Sequence, residues 1–126
     1  MPATDQLEAE APRILIVEDD DSAREALSDC LEMEGFRVAS ARNGREALDY
    51  LHKSPPPKII LLDLYMPVMT GWEFREAQKK DAAIADIPVV VVTAFGSGMT
   101  RQIDADIVMH KPLDLDRLLS VIRDHC

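Results

Sequence analysis

The sequence predicts an α/β fold, a parallel β-sheet covered by crossover helices, on three observations. Five short apolar runs alternate with amphipathic stretches, as repeated βα units require. Runs such as Val89-Val90-Val91-Val92 are apolar at every position, which suits strands buried on both faces. Two of the runs deliver acids at their C-terminal ends, where an open parallel sheet gathers its functional groups on one rim.

The first strand is predicted over 13–17 and ends in Glu18-Asp19-Asp20-Asp21. A helix over 22–34 follows, with Ala23, Ala26, Leu27, Cys30 and Leu31 on its inner face, a Ser22/Glu25 capping box at its start and Gly35 at its end. The second strand is placed at 36–40 and the second helix at 44–53, with Ala47, Leu48 and Leu51 inward and Pro55-Pro56-Pro57 barring any continuation. Strand three, 58–62, runs directly into Asp63, and a third helix over 72–80 has only Phe74 and Ala77 as a weak apolar face. Strand four, 88–92, is followed by Thr93 and Ala94, and strand five, 106–109, by Lys111-Pro112. Between these strands lies Gly96-Ser97-Gly98-Met99-Thr100-Arg101-Gln102-Ile103. Its only apolar pair is Met99 and Ile103, so a short or irregular fourth helix is expected. The last helix spans 115–124 with Leu115, Leu118, Leu119 and Ile122 inward after an Asp114 cap.

Composition narrows the function. A chain of 126 residues is one domain's worth, and its net charge of -9 argues against binding a nucleic-acid backbone. No apolar stretch approaches membrane-spanning length, and residues 1–12 read as a flexible acidic tail. Two cysteines, Cys30 and Cys126, form no disulfide framework and suit a reducing cytoplasm. His52, His110 and His125 lack metal-ligand spacing, and Trp72 and Phe74 read as packing or partner-facing residues.

The chemistry lies at the rim. Carboxylates from Glu18, Asp19 and Asp63 crowded together repel one another unless a divalent cation or other positive charge compensates. Mg²⁺ accepts one or two carboxylates and a backbone carbonyl while keeping several waters. With Lys111 and the Thr93 hydroxyl, such an ion would neutralise a phosphoryl group while Asp63 attacks phosphorus.

Ile14-Leu15-Ile16-Val17-Glu18-Asp19-Asp20, Leu62-Asp63-Leu64-Tyr65-Met66-Pro67-Val68-Met69-Thr70-Gly71, Val92-Thr93-Ala94 and Lys111-Pro112, taken in order, resemble the receiver domain of two-component response regulators. The resemblance covers 13–125, and the receiver domain is drawn at 13–126. It implies a flavodoxin-like, doubly wound five-stranded sheet of order 2-1-3-4-5. It also implies that Asp63 is the phosphoacceptor, that Asp19, Asp63 and the Tyr65 backbone carbonyl hold Mg²⁺ or Mn²⁺, and that Glu18 does so largely through water. Lys111, the Thr93 hydroxyl and the Ala94 amide would bind the phosphoryl oxygens, the Lys111-Pro112 bond would be cis, and Gly71 would make a tight turn.

Many receivers carry an aromatic residue three positions before the lysine, where this chain has Val108 and no ring to swing. The implied partners are a histidine kinase or histidine phosphotransfer protein and a downstream protein target, with no direct nucleic acid or membrane. The implied role is that of a stand-alone switch and not an enzyme beyond its own phosphorylation and dephosphorylation. Tyr65 and Phe95, two positions after Asp63 and Thr93, would either exclude water and slow hydrolysis or point outward to a partner. A haloacid-dehalogenase-like phosphohydrolase would need a second Asp where Tyr65 stands. A dinucleotide-binding domain would need glycines where strand one ends in acids. A constitutive interaction domain of the same fold stays open.

Overall fold

The computed structural model describes residues 12–94 and 105–125, and the elements alternate as expected. They are β1 (Ile14–Val17), α1 (Asp21–Met33), β2 (Val38–Ala41), α2 (Gly44–Lys53), β3 (Ile59–Leu62), α3 (Gly71–Lys79), β4 (Val89–Thr93), β5 (Ile107–His110) and α4 (Leu115–His125). All strand pairs are parallel and the order is β2-β1-β3-β4-β5. The acidic tail, Phe95 and the segment expected to form a short fourth helix lie outside the described residues.

Side chains alternate across β1, and that alternation builds two cores. Leu15 and Val17 face α2 and α3 with Ala47, Leu51 and Phe74, whereas Ile14 and Ile16 face α1 and α4 with Leu31, Leu118 and Ile122. Phe74 is fully buried, a contribution of about 2 to 3 kcal/mol from one side chain.

The helix ends depart from expectation in instructive ways. The cap of α1 is Asp20 and not Ser22: its carboxylate accepts from the Ala23 amide at 2.8 Å, so the helix starts early and the Ser22/Glu25 box does not form. Gly35, at φ 95°, closes α1 in a Schellman turn, with Phe36 N–H bonded to the Leu31 carbonyl and Gly35 N–H to that of Glu32. Ala26 is exposed, and of the α1 face only Leu31 is fully buried. The rest borders a cleft, to which Leu115 of α4 also contributes, itself 37% exposed where an inward position was expected.

The weak apolar face of α3 has a polar complement. Gln78 is fully buried, donating to the carbonyls of Ile84 and Ile87 at 2.9 and 3.1 Å and accepting from Arg75 at 2.8 Å. These bonds offset its burial cost and tie the connection before β4 to α3.

Candidate functional site

Register carries the site. Val17 of β1 lies opposite Leu62 of β3, so the next residues, Glu18 and Asp63, emerge side by side at the centre of the sheet. Each is pinned through its amide, Glu18 to the Ala41 carbonyl and Asp63 to that of Val17, both at 3.0 Å. At the other end of the rim Thr93 pairs with His110, and the Lys111 amide bonds the Thr93 carbonyl at 2.8 Å. The Lys111-Pro112 bond is cis.

Carboxylate oxygens of Glu18, Asp19 and Asp63 lie within 4.8 Å of one another, the only such acid group among the described residues. Glu18 is the most enclosed, 7% exposed, and the Lys111 ammonium donates to its Oε1 at 2.6 Å across 93 residues of sequence. Lys111 therefore reaches the acids as expected, with Glu18 as its partner. Thr93 is fully buried at the end of β4, and Ala94 is exposed just beyond it. Tyr65 is 39% exposed, its ring edge-on to Trp72 with centroids 5.0 Å apart.

Electrostatics shows what the rim lacks. Burial, then the charge of Glu18, pushes the Asp63 carboxyl up to about 7. Burial and a hydrogen bond with Glu18 also raise Asp19. For Glu18 burial works against ionisation, but bonds from Lys111 and Asp63 outweigh it and hold its carboxyl below the ordinary value. For Lys111 burial is likewise outweighed, by the bond to Glu18 and the charges of Glu18 and Asp63, so its ammonium titrates above the usual range. With Lys111 bonded to Glu18, Asp63 is left to titrate near neutral pH. A hard divalent cation, which takes oxygen donors only, fits this donor set and would supply the missing charge.

Gly71 was expected at the tight turn where the structure has it, but the reason for the glycine was missed, as was the role of Arg24. Gly71 is needed for close approach and not for a positive φ: a Cβ there would meet the Asp63 carbonyl oxygen at 2.6 Å and Leu64 Cα at 2.8 Å. Arg24, in the first turn of α1, reaches back to the Glu18 carbonyl and the Asp21 carboxylate. The close Gly71 contact has no sequence signal beyond the glycine itself, and an arginine four residues after Asp20 reads as an ordinary helix ion pair. From Glu18, Asp63 and Lys111 an apolar cleft of about 350 Å³ runs past Ala23, Leu27 and Leu113.

Comparison with known proteins gives concordant matches. A sequence profile described as the response regulator receiver domain matches residues 14–123. The response regulator Rre1 of Synechocystis is 35% identical over 121 residues, covering 92% of this chain and 52% of its own length. This chain thus spans about half of that relative. The polar-differentiation response regulator DivK of Brucella anthropi is 32% identical, covering 89% of this chain and 94% of its own. Among solved structures, the response regulator protein TrrA of Thermotoga maritima, in complex with Mg²⁺ and BeF, superposes with a TM-score of 0.80 at 28% identity, covering 91% of this chain and 99% of that one.

Proposed function

The chain belongs to the response regulator receiver family, and from that membership we propose that it is a phosphoacceptor switch of a two-component system or phosphorelay, loaded at Asp63. The observation that carries this reading is the convergence of the Glu18, Asp19 and Asp63 oxygens beside the Lys111 ammonium. Receiver domains generally bind Mg²⁺ through such an acidic pocket. Here Asp19, Asp63 and the Tyr65 backbone carbonyl would hold it directly and Glu18 through water, with Mn²⁺ a substitute. When bound, the ion supplies the positive charge that keeps the carboxylates ionised and offsets the charge of phosphoryl oxygens.

The donor is a phosphohistidine of a kinase or histidine phosphotransfer protein. An Asp63 carboxylate oxygen attacks phosphorus, the P–N bond breaks, and its electron pair leaves on the imidazole nitrogen, which takes up a proton. Lys111 pairs with the phosphoryl oxygens, and the Thr93 hydroxyl and Ala94 amide bond them. Drawing these groups inward shifts the population of the surrounding loops and changes affinity for a downstream protein. The net charge of -9 points to proteins and not nucleic acid as direct partners. None of the described helices is long and apolar enough to cross a membrane, and we assign the switch to the cytoplasm.

Intact-mass measurement after incubation with Mg²⁺ and a small acyl phosphate tests the proposal. One phosphoryl adduct is expected on the wild type and none on Asp63→Ala. No adduct on the wild type, or an equal adduct on the variant, would overturn it.

A further inference from the structure

Arg24 stands six residues after Glu18, and its guanidinium folds back over the acid loop. Nη1 donates to the Glu18 backbone carbonyl at 3.0 Å, and Nη2 donates to the Asp21 carboxylate. The side chain is only 13% exposed. The Glu18 amide is bonded to the Ala41 carbonyl at 3.0 Å, so the backbone of Glu18 is fastened at both its donor and its acceptor. The fastened carbonyl belongs to the planar Glu18–Asp19 peptide, whose orientation sets the directions in which both acidic side chains leave the chain.

We propose that Arg24 is a positioning residue for the divalent cation, holding the Glu18–Asp19 peptide so that both carboxylates are presented together with Asp63. The inference rests on the acid rim being a Mg²⁺ site. Arg24 acts through geometry and not through charge. Its bond at the site goes to a carbonyl and to none of the three converging carboxylates, and Asp21 offsets its positive charge. Two acceptors in different directions call for a planar fork with donors on separate nitrogens, which a lysine ammonium on a flexible stem does not provide.

Geometry and charge predict opposite signs. Removing a nearby positive charge strengthens cation binding, whereas releasing the peptide weakens it. Calorimetric titration of the full chain with Mg²⁺ reads that sign directly, with thermal melting of the metal-free protein alongside. Arg24→Ala is expected to weaken Mg²⁺ binding about tenfold, as loss of an outer support of a metal site does, with Arg24→Lys in between. The Mg²⁺ concentration giving half-maximal phosphorylation should rise in step while the plateau rate at saturating Mg²⁺ holds. A purely structural role would lower the melting temperature and leave Mg²⁺ affinity unchanged.

If Arg24→Ala does not fold, Arg24→Lys carries the test. Unchanged or tighter Mg²⁺ binding in the folded variant overturns the role of Arg24 while leaving the metal site standing. A wild type that binds no Mg²⁺ overturns both.

Discussion

The conflict within the site is concentrated in the Asp63 carboxyl. The unfolded chain releases this proton near 3.8 and the folded chain at about 7, so between those values the folded state holds the extra proton. Stability is therefore fully favoured below the lower value and falls as pH rises through the upper one. Glu18 has the opposite sense, since its lowered carboxyl stabilises above 4.5 and loses that contribution only as acid is added, so above about pH 5 the Asp63 effect stands alone of the two. The metal-free melting temperature should thus fall between about pH 5 and about pH 8, and Mg²⁺ should raise it more at the higher pH. Scanning calorimetry of the wild type and Asp63→Asn checks this; a slope equally steep in the variant would contradict it. Tyr65, two residues on, presents a ring braced edge-on by Trp72. On the proposed phosphorylation of Asp63, a ring there that shields the acyl phosphate from water predicts faster loss of the phosphoryl group from Tyr65→Asn, followed by decay of the intact-mass adduct; an unchanged rate would mean that the ring does not shield it. Val68 is different in kind. It sits at φ 69° and is 79% exposed, a β-branched residue in the left-handed region with no burial in return. Val68→Asn should raise stability by about 1 kcal/mol in urea unfolding, because asparagine tolerates that conformation.

At the scale of elements, the turn from β3 into α3 ties fold to site most tightly. Thr70 and Glu73 form a reciprocal capping box that starts α3, and the Gly71 amide bonds the Leu64 carbonyl at 2.9 Å, folding the helix start onto the backbone after Asp63. Gly71→Ala places a methyl against that backbone, which cannot swing aside, and should cost about 2 kcal/mol and slow phosphoryl uptake. Gly44 offers an internal control. A Cβ there meets Met69 Cγ and Sδ at 2.8 and 2.9 Å, the flexible part of a methionine, and Phe74 Cβ at 3.0 Å, a side-chain atom and not backbone, so Gly44→Ala should cost less than Gly71→Ala in the same denaturation experiment. The strands were legible because β1 and β3 are unbroken apolar runs and β4 and β5 are apolar up to Thr93 and His110, while β2, broken by Ser40, has the least clear start; the observed bounds differ from expectation by two residues or fewer. Helix starts were less legible for a physical reason. Asp20, Asp21 and Ser22 are all good caps in sequence, and the choice falls to whichever side chain the strand end aims at a free amide of the first turn, here that of Ala23. The burial of Gln78 was hidden as well, since its partners are carbonyls six and nine residues away whose positions only the folded connection fixes.

Across the whole molecule, the sheet order sets β1 beside β3 and adds β4 and β5 outward, so acids from two central strands meet a lysine that follows the edge strand. That meeting was legible in the sequence, because parallel strands share one rim and Glu18, Asp63 and Lys111 each follow a strand. Which acid the lysine would choose was not. The choice depends on burial: Glu18, at 7% exposed, has the least access to water and the greatest need of a counter-charge, while the Asp63 carboxyl, pushed up to about 7, is neutral below that pH and needs none there. The Lys111–Glu18 bond is consequently a long-range fastening, joining the end of the first strand to the turn before the last helix. Removing the ammonium with Lys111→Met leaves a buried carboxylate without its cation, and above the Glu18 titration this should cost about 2 kcal/mol. That figure lies under the 3 to 5 typical of fully buried pairs because Lys111 is one-third exposed and water replaces part of the interaction. Neutralising the orphan in Lys111→Met/Glu18→Gln should recover much of the loss, since an amide needs no counter-charge. Urea unfolding of the two single variants and the double variant closes the thermodynamic cycle. A coupling near zero would mean that the fastening contributes nothing to the fold, whereas a favourable one would set the cost that the proposed pairing of Lys111 with a phosphoryl group on Asp63 has to offset.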